Sequence, residues 1–316
     1  MFSYLIDSKV VWFRLFNSDI RHFGVGGIMM KVLVTGANGY LGTGVVKQLC
    51  DDGMDVIATD IKTELVDERA TKVERNIFDL ENPYEIFGKP DVLLHMAWRN
   101  GFVHNDPSHI EDLPKHYSFL SKMINGGCKQ IAVMGTMHEV GFYEGSIKEE
   151  TPTHPESLYG IAKDTLRNVT KLLCKNASVT FQWLRGYYIV GNSEHGCSIF
   201  SKITAAEKKG QEWFPFTMGI NQWDFIDYDM FAKQVAATVE QNLVNGVINI
   251  CHGRPEKLAD RVERFIIENH YKIKLDYGKF PDRPYDSKAV WGDDKKILDI
   301  MTIHDNCKCV ERDLLK

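Results

Sequence analysis

The chain has 316 residues, 44% hydrophobic and 26% charged, with a formal net charge of −5. That suits an ordinary globular protein of one large domain or two smaller ones. No long run of Lys or Arg occurs, which argues against a nucleic-acid footprint and a polybasic membrane anchor.

Residues 1–29 scatter Asp7, Lys9, Arg14, Asp19 and Arg21 among aromatic residues. The apolar runs are too short for a membrane span, and the signature of a signal peptide is missing. This stretch is treated as an extension outside the fold. Lys31–Thr35 (KVLVT) then reads as a buried strand entering a glycine turn. Leu41, Val45, Val46 and Leu49 recur at helical spacing over Tyr40–Cys50. Asp55–Thr59 is a second buried strand, ending at Asp60, and Asp91–Met96 and Gln130–Met134 are two more. Helices are expected over His109–Ile124 and Leu158–Leu173, and a strand over Val179–Leu184. Alternating strands and helices imply right-handed crossovers and a parallel sheet covered on both faces. The expected fold class is therefore α/β, a Rossmann-type doubly wound sheet. Residues 30–190 would mainly form the dinucleotide-binding domain. Residues 191–316 would mainly form a smaller C-terminal substrate lobe, with some elements returning to the sheet. Seven scattered cysteines fit reduced thiols in the cytoplasm better than a disulfide framework. Cys307 and Cys309 lie near His304, but not at a common zinc spacing, and no metal is expected.

The turn after the first strand reads Gly36-Ala37-Asn38-Gly39-Tyr40-Leu41-Gly42. Glycine permits the tight turn, lets backbone approach a pyrophosphate, and allows close helix–strand packing. The helix that follows points free N–H groups at the phosphates. A strand before and a helix after supply the context that this motif needs. Asp60, at the end of the second strand, can accept hydrogen bonds from the adenosine ribose and would repel the extra phosphate of NADP. NAD is the expected cofactor; Lys62, two residues on, keeps NADP open.

Tyr159 and Lys163 stand four apart, on one face of a helix. A free phenol has a pKa of about 10, and a neighbouring ammonium should lower it and make Tyr159 a usable acid or base. Tyr159 and Lys163 are also expected cofactor contacts, and the Lys163 ammonium can bond the nicotinamide ribose. Thr136 is expected just past the end of the Gln130–Met134 strand, at the carboxyl side of the sheet where such folds bind ligands. There it can donate to a substrate oxygen beside Tyr159.

Taken together, GANGYLG, GTMHEVG and YGIAK resemble the extended short-chain dehydrogenase/reductase family, the NAD-dependent epimerase/dehydratase proteins. The resemblance covers about Lys31 to Ile297. His95-Met96-Ala97-Trp98 is similar to the family's segment beside the cofactor, which adds Ala97 to the expected cofactor contacts. Leu184–Gly191 is similar to its LRxxNVYG stretch, and Trp223–Asp229 to its RDFIHVDD stretch. The resemblance implies a catalytic triad of Thr136, Tyr159 and Lys163, a nucleotide-sugar substrate and a homodimer through paired helices. Trp223 replaces a frequent Arg and Tyr188 a frequent Asn. Dehydratase members carry Asp-Glu after the catalytic Thr; here Met137-His138 precede Glu139. GTMHEVG is instead similar to members that reduce 4-keto-deoxysugar nucleotides. Arg283, in Arg283-Pro284-Tyr285-Asp286, is a candidate substrate contact or a solvated loop residue. His138 is substrate-facing or structural. Arg99, His104 and His109 could face an anionic substrate. The leading expectation is hydride transfer at sugar C4, as reductase or reverse dehydrogenase. A 4-epimerase with tightly held NAD and a non-catalytic NAD(P)-binding sensor are the rivals.

Overall fold

A computed structural model describes residues 30–314 apart from 195, 197 and 282–286. The extension at 1–29 and Arg283 thus lie outside the described residues. In chain order the strands begin with β1 (Lys31–Thr35), β2 (Asp55–Asp60), β3 (Thr71–Glu74), β4 (Val92–His95) and β5 (Gln130–Thr136). They continue with β6 (Gly145–Ile147), β7 (Thr180–Gly186), β8 (Tyr188–Val190), β9 (Trp213–Pro215) and β10 (Gln222–Asp227). The last are β11 (Gly246–Ile250), β12 (Pro255–Lys257), β13 (Lys274–Asp276) and β14 (Ala289–Gly292). The helices that position the site are α1 (Gly42–Asp51), α2 (Leu113–Gly126), α3 (Leu158–Ala177), α4 (Tyr228–Val239) and α5 (Lys295–Leu314).

One seven-stranded sheet runs β11-β7-β5-β4-β1-β2-β3, with every pair parallel. Its strands read as unbroken apolar runs because both faces are covered. On one face α1, α4 and α5 bring Val45, Leu49, Val235 and Ile300 against Val32, Val34 and Leu94. On the other, α2 and α3 bring Phe119, Leu120, Met123 and Leu166 against Leu33, Leu93, Ile131 and Trp183. The strand order reverses between β1 and β4, which opens a crevice at their carboxyl ends.

Some boundaries differ from the sequence expectation. The helix expected over His109–Ile124 is two pieces, Ser108–Glu111 and α2, parted at Asp112. Pro114 is the cause: a proline ring clashes with the carbonyl four residues back, so the helix restarts with proline in its first turn. β3 was not foreseen, because no residue of this edge strand is fully buried and the apolar run is missing. Thr136 is the last residue of β5 rather than a residue beyond it.

A second sheet runs β12-β10-β14-β6, and β8 pairs with the far end of β10. It draws β6 from before residue 190, while β11, from after it, completes the first sheet. Phe200, Phe216, Phe225, Leu258, Val262 and Phe265 form the core of this part. α5 is tied back to the first sheet's helices: His304 Nδ1 lies 2.8 Å from Glu240 Oε2, and Lys308 pairs with Asp52. The cysteines among the described residues are free thiols. Among the described residues no helix is long and apolar enough to cross a membrane.

Candidate active site

The glycine turn sits at the crevice where the strand order reverses. Gly36 adopts φ +70°, and a Cβ there would stand 2.6 Å from the backbone nitrogen of Ala97. Only glycine therefore lets the turn lie against the β4 segment. At Gly42 a Cβ would meet the Gly36 carbonyl at 2.1 Å, so α1 can start this close to β1 only without one. Thr35 supports the same contact: its hydroxyl accepts the N–H groups of Met96 and Ala97, each at 3.3 Å. Asp60 Oδ2 accepts the Asn38 N–H at 3.0 Å, and the Asn38 side chain accepts the Leu65 N–H at 2.8 Å. The N–H groups of Tyr40 and Leu41 make no backbone hydrogen bond among the described residues. A cavity of about 390 Å³ opens here, lined by Asn38, Gly39, Tyr40, Thr43, Leu65 and Asn192. Donors without partners, a glycine cradle and an acid at the next strand end fit a dinucleotide's diphosphate and ribose. Lys62 is engaged with Glu64 at 3.6 Å.

Across the crevice, α3 begins at a well-made cap. Ser157 accepts the Gly160 N–H at 3.1 Å, an arrangement worth about 1 kcal/mol. His104 C=O accepts the Tyr159 N–H at 2.8 Å, and Asn105 Oδ1 accepts the Leu158 N–H at 3.2 Å. Gly160 is required by packing, since a Cβ would stand 2.5 Å from the His138 carbonyl. This places Tyr159 beside Thr136, whose hydroxyl reaches the phenol.

The electrostatics differ from the expectation that Lys163 lowers the phenol. Burial dominates both groups: it pushes Tyr159 up to about 12, against the Thr136 hydrogen bond, and Lys163 down to about 7. Lys163 shares a helix face with Tyr159, but its ammonium donates to Met134 C=O at 2.7 Å. It lies 3.9 Å from the Trp98 ring centre and 5.9 Å from that of Tyr159.

Trp98, in the segment similar to the family's cofactor side, carries no spacing signal of its own as a site residue. It stacks on His116 at 4.5 Å. His116 continues a buried chain: Thr35 Oγ1 to His95 Nδ1 and His95 Nε2 to His116 Nδ1, each 2.8 Å. Burial drives His95 well below the usual histidine range and His116 down to about 3, so both are neutral packing groups at pH 7. His104 stacks on Tyr159 at 5.4 Å, and His138 lies 4.4 Å from His104 and 6.2 Å from Tyr159. Burial takes His138 down to about 4, leaving a neutral ring that packs on His104 and stands beside the phenol. No part of its sequence signals that arrangement, because His104 arrives from a loop.

Other candidates are occupied. Arg99 is paired with Asp112 and, at 3.6 Å, with Glu111. His109 receives the Trp98 indole N–H at 3.0 Å and stands 3.0 Å from Val103 C=O. Glu139 is fully buried: its carboxylate accepts Trp183 Nε1–H at 2.7 Å and Arg185 Nε–H at 2.8 Å. It is therefore no stand-in for a dehydratase acid. The two departures, Tyr188 and Trp223, are one feature: their rings stack at 4.7 Å and 10°.

Residues 32–251 match the profile described as the NAD dependent epimerase/dehydratase family. Over 275 residues the chain is 42% identical to dTDP-6-deoxy-L-talose 4-dehydrogenase (NAD(+)) of Aggregatibacter actinomycetemcomitans, covering 83% of this chain and 99% of that protein. Its fold is similar to UDP-N-acetylglucosamine 4-epimerase of Methanobrevibacter ruminantium, with TM-score 0.76, 21% identity and coverage of 86% and 92%. It is also similar to UDP-glucose 4-epimerase of Thermotoga maritima, with TM-score 0.71, 23% identity and coverage of 85% and 92%.

Proposed function

The chain belongs to the NAD dependent epimerase/dehydratase family, and from that premise we propose that it is an NAD-dependent dehydrogenase acting at C4 of a nucleotide-linked 6-deoxysugar. The observation that carries this reading is the 42% identity spanning 99% of a dTDP-6-deoxy-L-talose 4-dehydrogenase. NAD, when bound, supplies the hydride acceptor. Gly36, Asn38, Gly39, Tyr40, Leu41, Gly42 and Ala97 would hold its diphosphate side, and Asp60 its adenosine ribose. An acid at the end of β2, its carboxylate held toward the turn by the Asn38 and Ile61 N–H groups, with Lys62 paired to Glu64, favours NAD over NADP.

Thr136 and Tyr159 share the C4 oxygen in this reading. The phenolate form of Tyr159 takes the hydroxyl proton as hydride leaves C4 for NAD during oxidation, and the phenol so formed returns that proton during reduction. Lys163 sets the charge beside it, and an ammonium near pKa 7 can be present or absent at working pH. His138 contacts the sugar beside the phenol, and Glu139, next in the chain, is taken by Trp183 and Arg185 and is not available to drive loss of water. The enzyme works as a homodimer paired through helices, which light scattering checks. The reaction is tested by adding NAD and dTDP-6-deoxy-L-talose to the full chain and following the nicotinamide absorbance band. Stoichiometric reduction of NAD is the expected result. Sugar interconversion with only catalytic cofactor would replace this reading with a 4-epimerase, and binding without turnover would replace it with a sensor.

A further inference from the structure

α1 starts without a cap of its own. Leu41 stands at the cap position, and no side chain there bonds the first turn. The opening N–H groups of a helix nevertheless need acceptors. One acceptor comes from a residue 184 positions away. Tyr228, the first residue of α4, inserts its phenol at the start of α1. Its oxygen accepts the Gly44 N–H at 3.0 Å, and its O–H donates to Tyr40 C=O at 2.7 Å. The Thr43 hydroxyl stands 3.1 Å from the same oxygen.

Gly44 makes the insertion possible. A Cβ there would lie 2.5 Å from Tyr228 Cε1 and 2.7 Å from its oxygen. Glycine in a helix costs about 1 kcal/mol relative to alanine, and neither the motif nor a positive φ calls for one at this position. The hole for the ring is the reason. The turn is gripped from a second side as well. Tyr40 O–H donates to Gly191 C=O at 2.9 Å, and Asn192 Nδ2 donates to Tyr40 C=O at 3.2 Å. The Tyr40 and Tyr228 rings meet at 5.6 Å.

We propose that Tyr228 is a positioning residue for the phosphate-binding turn: its phenol caps α1 from the second sheet and sets the Tyr40 and Leu41 N–H groups for the cofactor's diphosphate. The proposal rests on the reading that this turn holds NAD. It links β10 of the second sheet, which runs directly into α4, to the cofactor turn through one hydroxyl.

Tyr228→Phe keeps the ring in its hole and removes only the oxygen. Loss of a helix cap of about 1 kcal/mol corresponds to about a fivefold weaker NAD dissociation constant. Calorimetric titration of the full chain with NAD alone should show that shift. The KM for the sugar nucleotide should stay as in the wild type. A merely structural tyrosine would lower the melting temperature and leave NAD affinity unchanged, and that result overturns the proposal. A second measurement tests the hole. Gly44→Ala should weaken NAD binding in the wild type and be neutral or stabilising when combined with Tyr228→Ala. Equal cost in both backgrounds also overturns the proposal. If Tyr228→Phe binds NAD normally while the wild type turns over substrate, only this inference fails. If the wild type does not bind NAD, the reading of the turn fails with it.

Discussion

Two buried polar clusters meet at the carboxyl end of β5, and they are built on opposite terms. On one side Glu139 is fully enclosed with Arg185, its oxygens taken by the guanidinium and the Trp183 indole. On the other, Tyr159 and Lys163 have no carboxylate in hydrogen-bond contact among the described residues; Lys163 has a backbone carbonyl and an aromatic face. A buried charge with a counter-ion stays charged and is held in place. A buried group without one is driven toward its neutral form, as the phenol near 12 and the ammonium near 7 show. Glu139 reaches both groups through space, raising Lys163 and Tyr159, but burial outweighs it at Lys163. The paired cluster is the frame; the unpaired one can exchange a proton near neutral pH.

Substitutions can break this contrast. The largest effect is expected at Tyr159→Phe, which removes the exchangeable proton and should lower kcat about a thousandfold while NAD affinity holds. Turnover followed at the nicotinamide band, with calorimetric NAD titration beside it, checks this. Activity near wild type would move the proton to another group. Next, Glu139→Gln keeps the shape of the paired cluster but strands the Arg185 guanidinium without its counter-ion. About 3 kcal/mol of stability should go, seen as a lower midpoint in urea unfolding. A midpoint equal to the wild type would mean that the pair adds nothing to the frame.

A third substitution separates the clusters by pH. Lys163 is lowered in the folded protein from the ordinary lysine value of about 10.4 to about 7. Between those values the unfolded chain binds the proton and the folded one does not, so stability rises with pH across that window. The penalty is complete below about pH 7 and gone above about 10.4. Lys163→Met should therefore gain most over the wild type at pH 6 to 7, with the gain shrinking toward pH 10. Parallel stability curves for the two proteins would show that the ammonium carries no such penalty.

Much of the candidate site was legible because its signals are local. The glycines of the turn, Asp60 one strand on, and Tyr159 with Lys163 on a single helix face all follow from spacing within one element or a pair of neighbours. Thr136 was found as a strand-end residue and displaced only slightly, since β5 runs through to it. Trp98 beneath Lys163, His104 over Tyr159 and Tyr228 on α1 had no such signal. Each reaches its partner across the fold from another element. Arg283 falls outside the described residues. The broken helix before α2 was missed for a different reason: its apolar spacing continues through Asp112, and only the reach of the Pro114 ring interrupts it.

By itself the sequence determined the alternating architecture, the glycine turn after β1 and which ionisable residues share a helix face. These depend on periodicity and on residue chemistry, which are written along the chain. Tertiary structure alone decided what each of those groups is packed against. Glu139 and Lys163 are both ionisable residues near one strand end, yet one was packed against a guanidinium and the other against an indole ring and a carbonyl. Desolvation and pairing are properties of the packed surroundings, and residues far apart in the chain supply them.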